Sequence, residues 1–249
     1  MHTILRNLQL ASGVVLLTYL SLHLINHALG IWSLDLAEHG LTLAVRLWYG
    51  TPGTILLYGA AGVHFVMALR TIYERRHWTL PATEWIRLWA GLSLPLLLIR
   101  HAVGTRLAAS LYSFEPDYEK IVVSLINSGT QGLQLALLAP GWVHGCLGLW
   151  LRFRHYDFVR RAKPVLVAVL IVLPLLSAIG FARMSSAVVA TNALHLTSDP
   201  TLVEHRATLD AWRNNLVTVY LSAVIGAFLA GRLRNRLHRR AAHKDSLDS

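Results

Sequence analysis

Apolar residues fill six long stretches of the chain, and polar or charged residues are concentrated in the shorter segments between them. A helix rises about 1.5 Å per residue, so about 20 apolar residues cross the hydrocarbon core of a bilayer. The pattern predicts an all-α fold, an integral membrane bundle of six transmembrane helices. The predicted spans are residues 8–30, 54–73, 87–111, 133–151, 164–184 and 216–233.

Composition agrees with a lipid environment. Hydrophobic residues make up 54% of the chain and charged residues 14%, whereas a soluble domain carries about a quarter charged residues. The net charge of +10 raises the question of nucleic-acid binding, but the basic residues lie in short clusters between apolar stretches. We therefore expect membrane lipid as a partner and no nucleic acid. The single cysteine, Cys146, excludes an internal disulfide and any C-x-x-C-H haem attachment.

The basic residues also predict an orientation. With six spans, sixteen Lys and Arg residues fall on the side of both termini and seven on the other side. Positive charge is retained on the cytoplasmic side, so we expect both termini in the cytoplasm. Two outer loops are long: residues 114–129, with a predicted helix at 118–126, and residues 186–212, with a helix opening at Ser198. They are interpreted either as a cap or as interfacial helices with no ligand.

Histidines lie inside four consecutive predicted spans, where ionisable side chains are expensive and mark functional sites. Counted from the cytoplasmic edge, two of them lie about 21–22 Å deep and two about 9–12 Å deep. Two facing imidazoles at one depth are typical of the axial ligands of a six-coordinate b haem. The sequence therefore predicts two haem b groups, an outer one held by His23 and His101 and an inner one held by His64 and His144.

Other side chains are assigned to the periphery of the predicted haems and not to the iron. His27 lies one turn beyond His23, about 6 Å nearer the outer surface, and is assigned to a haem propionate or a quinone hydrogen bond. Arg100 and Arg106 are assigned to the outer propionates. Arg70 and Arg152 are candidates for the inner ones, although membrane topology alone also explains them.

Glycines near two of the histidines allow either a porphyrin or a second helix to approach the backbone. They are Gly59 and Gly62 near His64, and Gly141, Gly145 and Gly148 near His144. Helix-to-helix hydrogen bonding remains the alternative explanation for the histidines themselves. Zinc is disfavoured because the spans offer no acidic ligand and a single cysteine.

Four sequence fragments resemble the di-haem cytochrome b membrane anchors of succinate dehydrogenases and fumarate reductases, over about residues 4 to 185. In that resemblance the haem ligands fall on His23, His64, His101 and His144, paired as above. The fragments are R-N-L-Q-L-A-S-G-V…H-L-I-N-H from Arg6, R-H-A-V-G-T-R from Arg100, H-G-C-L-G-L-W from His144 and L-S-A-I-G from Leu176.

The sixth span departs from the five-helix respiratory anchors. It is similar to the cytochrome-b-type membrane anchor of certain bacterial class III adenylate cyclases, in which the catalytic domain follows the last helix. The resemblance implies a membrane cytochrome b domain at residues 1–233 and a basic cytoplasmic linker at 234–249, leading to a C-terminal cyclase domain absent from this chain. It also implies a homodimer in the bacterial inner membrane. A plain positive-inside tail is the alternative for the linker.

Three functions follow as hypotheses. In the first, the haems exchange electrons with membrane quinone or quinol, and their redox state controls a cytoplasmic adenylate cyclase. In the second, the chain is a cytochrome b subunit that transfers electrons between quinone and a flavin and iron-sulfur subunit. In the third, it is a haem-free transporter or structural anchor. No catalytic residue is predicted within the 249 residues.

Overall fold

The computed structural model describes residues 2–191 and 197–245. Within these ranges the chain is all-helical and forms no strand. In chain order the helices are α1 (His2–Leu29), α2 (Leu34–Tyr49), α3 (Thr51–Glu74), α4 (Ala82–Ala102), α5 (Ala108–Tyr112), α6 (Tyr118–Asn127), α7 (Gln131–Phe153), α8 (Asp157–Arg161), α9 (Lys163–Thr191), α10 (Pro200–Glu204) and α11 (Arg206–Asp245).

Six of these elements are long and apolar enough to cross a membrane: α1, α3, α4 continued through α5, α7, α9 and α11. The predicted six-span, multi-pass architecture is confirmed at this level. A π-helical segment, Val103–Leu107, joins α4 to α5 without breaking the span. The predicted sixth span was too short, because α11 continues through polar residues at both of its ends.

The described loops also contain helices. α6 matches the predicted helix at 118–126, with Asp117 as its N-cap. The helix predicted to open at Ser198 begins at Pro200 instead, because the Asp199 side chain accepts the Thr201 N–H and caps it. Sequence reasoning missed α2, although Ser33 supplies an N-cap and Asp35 an acidic first turn.

α1 lies at the centre of the bundle and packs against α2, α3, α7 and α9. Its contact with α9 is close, because a Cβ at Gly180 would lie 2.1 Å from the His27 carbonyl oxygen. The fully buried Ser177 reinforces it, since its hydroxyl lies 2.7 Å from the Leu24 carbonyl oxygen. α4 and α7 form the other extensive contact, and α11 packs on α3 and α4.

The two ends of the bundle differ. At one end, here called the loop end, α2 and α6 pack on the end of α9 around Ala37, Tyr118, Val122 and Phe181. At the other, the terminal end, the last turns of α3 lie beside α11, where Arg234 Nη2 donates to the Glu74 carbonyl. The N-terminus of α4 meets α7 at this end too, through Arg87 and His144.

Candidate functional site

Four histidines from four spans meet as two pairs. His23 of α1 faces His101 of α4 with ring centroids 5.8 Å apart. His64 of α3 faces His144 of α7 with centroids 6.0 Å apart. The structure thus brings together the residues that the depth count grouped, whereas their role as metal ligands stays a prediction.

The spacing of both pairs fits one metal ion between the rings. Two metal–nitrogen bonds of about 2 Å, with roughly 1.2 Å from each nitrogen to its ring centroid, place the centroids of opposed ligands about 6.4 Å apart. The observed separations of 5.8 and 6.0 Å are within about half an ångström of that value. By centroid separation, either pair could bracket one metal ion.

The inner pair, His64 and His144, has its ring orientations set by hydrogen bonds. The His144 Nδ1–H donates to the Arg87 carbonyl oxygen at 2.9 Å. His64 Nδ1 lies 3.2 Å from the Ser12 hydroxyl, which itself donates to the Gln9 carbonyl and so accepts the His64 proton. In both rings Nε2 is left as the nitrogen with a free lone pair, which is the arrangement that metal-bound histidines use.

His101 of the outer pair is oriented in the same way. Its Nδ1–H donates to the Gln134 Oε1 at 3.1 Å. Gln134 is a buried polar residue of α7, and sequence reasoning did not single it out. An amide inside a predicted span, ten residues before His144, was the signal available.

His23 differs from the other three. Its Nε2 lies 3.2 Å from the His27 Nε2, and the His27 Nδ1 lies 3.2 Å from the Tyr118 hydroxyl oxygen. That hydroxyl accepts from the Asn26 Nδ2 at 2.8 Å, and His27 links it to His23 through its two ring nitrogens. Binding of a metal through His23 Nε2 therefore requires the His27 hydrogen bond to break.

His27 is enclosed by protein, and its assignment to a propionate or a quinone stays a prediction. It is buried between α1, α6 and α9, with its ring centroid 5.5 Å from that of Tyr118 and 5.7 Å from that of Phe181. Both of its nitrogens have protein partners. In this arrangement His27 occupies the Nε2 atom of His23 with a hydrogen bond.

Glycines border the inner pair in a way that the sequence did not reveal. A Cβ at Gly91 would lie 2.5 Å from His144 Nδ1, and one at Gly13 would lie 3.2 Å from His64 Cε1. Neither glycine was predicted. Gly91 lets the α4 backbone approach the imidazole on α7, and Gly13 lets the α1 backbone approach the imidazole on α3.

The predicted glycines divide into two groups. A Cβ at Gly141 would meet Leu20, and one at Gly145 would lie 2.6 Å from Leu17, so these two serve helix packing. A Cβ at Gly59, Gly62 or Gly148 meets no atom within 4 Å. Helix packing within the chain therefore does not explain those three, and Gly59 and Gly62 are exposed.

Arg106 supplies an unpaired cationic group near the outer pair. Its Nη2 donates to the Thr54 hydroxyl, and its Cζ lies 3.7 Å from the centroid of the Tyr49 ring. Its Nε and Nη1 are buried and have no hydrogen-bond partner among the described residues. A buried guanidinium with two free donors fits a carboxylate such as a haem propionate.

The other arginines divide differently from the prediction. Arg70 forms an ion pair with Glu74 at 2.8 Å, and Arg100 and Arg152 are half-buried, as Arg87 and Arg106 are. Arg87 was counted only towards topology, yet its carbonyl holds His144 and its buried Nε has no partner in the described part of the chain. Arg87 is therefore the better candidate for a carboxylate at the inner pair.

Each histidine pair offers two imidazoles, the number of protein ligands that a macrocycle-bound metal would need. The described residues contain no group of three or more His, Cys, Asp or Glu placed to hold a metal. A haem brings four ring nitrogens of its own, so its iron needs only the two axial ligands that each pair provides. Haem b at the two pairs stays a prediction.

No protein-family model, curated protein or solved structure matches the chain. The resemblance to cytochrome b anchors therefore rests on the four sequence fragments. The candidate site rests on its own geometry.

Proposed function

We propose that the chain is a membrane-embedded di-haem b cytochrome, with His23 and His101 as axial ligands of one haem and His64 and His144 of the other. The observation that carries the proposal is the meeting of four intramembrane histidines as two facing pairs, at 5.8 and 6.0 Å. Haem iron bound between such pairs supplies one-electron transfer.

The chain's own residues orient the ligands and balance charge. Gln134, Ser12 and the Arg87 carbonyl hold the Nδ1 atoms of three rings, so that Nε2 points away from the protein hydrogen bond in each. Arg106 and Arg87 carry buried donors suited to the propionates of the outer and inner haem, respectively. Arg106 was predicted for this role from the sequence, and Arg87 replaces Arg70 and Arg152.

The cellular role follows from α11. This helix is continuous from Arg206 to Asp245 and packs against α3 and α4, which carry His64 and His101. A change at either haem site can therefore alter a contact of the helix that leads out of the bundle. We assign the chain as the redox- and quinone-sensing anchor of a class III adenylate cyclase, in the bacterial inner membrane, with both termini cytoplasmic. The cyclase domain and a second copy of the chain are its expected partners.

An absorption spectrum of the detergent-solubilised protein tests the haem assignment. Oxidised and reduced wild type should give split b-type bands, and His64→Ala and His101→Ala should each remove a different component. His39→Ala and His155→Ala are matched controls, because both side chains are exposed. A colourless wild type, or an unchanged spectrum in both ligand variants, would refute the assignment.

The cyclase role is tested separately, on the chain joined to its cyclase domain. Cyclic AMP formation should differ between the oxidised and reduced protein at defined potentials, and the difference should vanish in the His64→Ala variant. Equal rates at both potentials, with haem still bound, would remove the sensing role. Copurification with flavin and iron-sulfur subunits would assign the chain to respiration instead.

A further inference from the structure

A cleft lined by arginines lies at the terminal end of the bundle, where α11 passes the end of α3. Its walls are Arg76, from the segment after α3, and Arg232, Asn235 and Arg236 from α11. The cleft has a volume of about 90 Å³, room for about three waters. A phosphate group is of that size.

The cleft is held in shape by backbone contacts between the two helices. A Cβ at Gly231 would lie 2.4 Å from the Tyr73 carbonyl oxygen, so glycine is needed for α11 to approach α3. Arg234 Nη2 donates to the Glu74 carbonyl at 3.1 Å, and Asn235 Nδ2 donates to the Arg75 carbonyl at 3.0 Å. The three arginines of the cleft therefore converge on a built surface.

These arginines have no counter-ion among the described side chains. Glu74, the nearest acidic residue in sequence, is engaged by Arg70 at 2.8 Å. Among the side chains that the structure describes, no carboxylate forms an ion pair with Arg76, Arg232 or Arg236. Three guanidinium groups around one small cleft favour an anion with several oxygens, which makes bidentate hydrogen bonds to arginine.

The surroundings of the cleft are apolar. On α11, Arg232 and Arg236 lie one turn apart, and an adjacent stripe of Leu229, Leu233 and Leu237 is 58%, 58% and 55% exposed. Trp78 packs on Phe228 at 5.3 Å between ring centroids, an aromatic contact typical of a membrane interface. A polar site for an anion thus lies next to an exposed apolar surface on the same helix.

From this arrangement we infer that the cleft binds the phosphate of an anionic phospholipid, with the acyl chains lying along the leucine stripe. A basic pocket between membrane helices on the cytoplasmic side is where such headgroups bind. The inference is independent of the haem proposal, since none of these residues contacts the histidine pairs. Under this inference, lipid is a ligand that holds α11 against α3.

Native mass spectrometry of the full chain in detergent, titrated with short-chain phosphatidylglycerol or phosphatidylcholine, tests this inference. The wild type should bind phosphatidylglycerol at least about tenfold more tightly than phosphatidylcholine. Arg76→Gln/Arg232→Gln/Arg236→Gln should lower phosphatidylglycerol affinity about tenfold. The matched control, Arg6→Gln/Arg154→Gln/Arg161→Gln, removes the same charge from exposed positions and should leave affinity unchanged.

A second pair of variants separates the built cleft from surface charge. Gly231→Leu displaces α11 from α3 without changing charge and should weaken phosphatidylglycerol binding, whereas Gly226→Leu, with nothing within 4 Å, should not. Helix content measured by circular dichroism checks folding of each variant. An equal loss of phosphatidylglycerol affinity in the two triple arginine variants would overturn the inference, as would equal wild-type affinity for the two lipids. So would displacement of the lipid by soluble pyrophosphate at equal concentration, which would assign the cleft to a free phosphate compound.

Discussion

Gln134 illustrates how a single buried amide acts on a site through its neighbour. The amide oxygen accepts a hydrogen bond from the His101 Nδ1–H and thereby leaves Nε2 as the nitrogen with a free lone pair. Outer-shell partners of this kind determine the tautomer and the direction of a ligand ring. Gln134 contacts His101 and would act on the proposed haem only through that ring, which makes it a positioning residue.

Replacement of Gln134 by Leu should therefore weaken the outer site. The His101 Nδ1–H would be left buried without its acceptor, and loss of such a partner lowers metal affinity about 10- to 100-fold. The measurement is haem retained per protein after dilution, with the split b-type bands identifying which haem is lost. Gln131→Leu, whose side chain bonds to Ser185 instead, is the control and should retain both haems. Equal retention in the two variants would contradict the positioning role.

Glu38 joins two helices at the loop end. Its Oε1 accepts the Tyr118 N–H at 2.6 Å, which holds α2 against the first turn of α6. Burial raises the pKa of this carboxyl from its ordinary value of 4.5, against the opposing effect of that hydrogen bond. Protonation of Glu38 thus favours the folded state, because the folded chain holds the proton more tightly than the unfolded chain.

The sign of the pH dependence follows from that shift. The contribution of Glu38 to stability is present at and below pH 4.5 and is lost as pH rises through the higher folded-state pKa. Glu38→Gln keeps the acceptor oxygen but cannot titrate, so its melting temperature should vary less with pH in this window. Thermal melts of the solubilised protein at several pH values test this. A slope identical to that of the wild type would contradict it.

At the scale of elements, the contact of α1 with α9 depends on one glycine. Gly180 brings the α9 backbone against the His27 carbonyl, and Ser177 adds a buried hydroxyl one turn earlier. This contact sets the position of the turn of α1 that carries His23 and His27. Helix packing in membranes relies on such small residues because there is little hydrophobic force between spans.

Gly180→Ala should consequently destabilise the bundle and disturb the outer site. The added methyl group has no room beside the His27 carbonyl, and overpacking of this kind costs about 1–3 kcal/mol or more. Gly226→Ala in α11 meets no atom within 4 Å and should be neutral or slightly stabilising. Thermal melting followed by gel filtration of the two variants gives the comparison. Equal melting temperatures would show that α1 and α9 tolerate separation.

At the scale of the whole molecule, the orientation of the bundle in the membrane decides which of its two ends lies on the cytoplasmic side. The excess of Lys and Arg at the terminal end predicts that this end is cytoplasmic and that α2, α6 and α10 face outward. Orientation decides which leaflet meets the arginine cleft. It also decides on which side α11 emerges.

Cysteine labelling tests the orientation directly. Cys146 is the only cysteine, so a Cys146→Ser background accepts single cysteines at exposed positions. His39→Cys at the loop end should react with a membrane-impermeant maleimide in intact cells, whereas Arg154→Cys should react only after permeabilisation. The opposite pattern would reverse the assigned topology.

Properties that depend on local sequence were predictable. The six spans follow from apolar length, and the order of the histidines along the membrane normal follows from the fixed rise of a helix. Amphipathic α2 and the polar ends of α11 were missed, because a search for apolar runs does not detect helices that are half polar.

Tertiary structure alone decided how each helix is rotated and which atoms meet. The depth of a residue along its helix predicts its level in the membrane but not the direction in which its side chain points around the helix axis. The hydrogen bonds of Gln134 and Ser12 to the histidines, and the approach of Gly91 to His144, therefore could not be predicted from sequence spacing. The π-helical segment after His101 also changes the helical register, and Arg106 within it lies over the Tyr49 ring. These features arise from packing between distant helices, whereas the spans and the level of each histidine are properties of single helices.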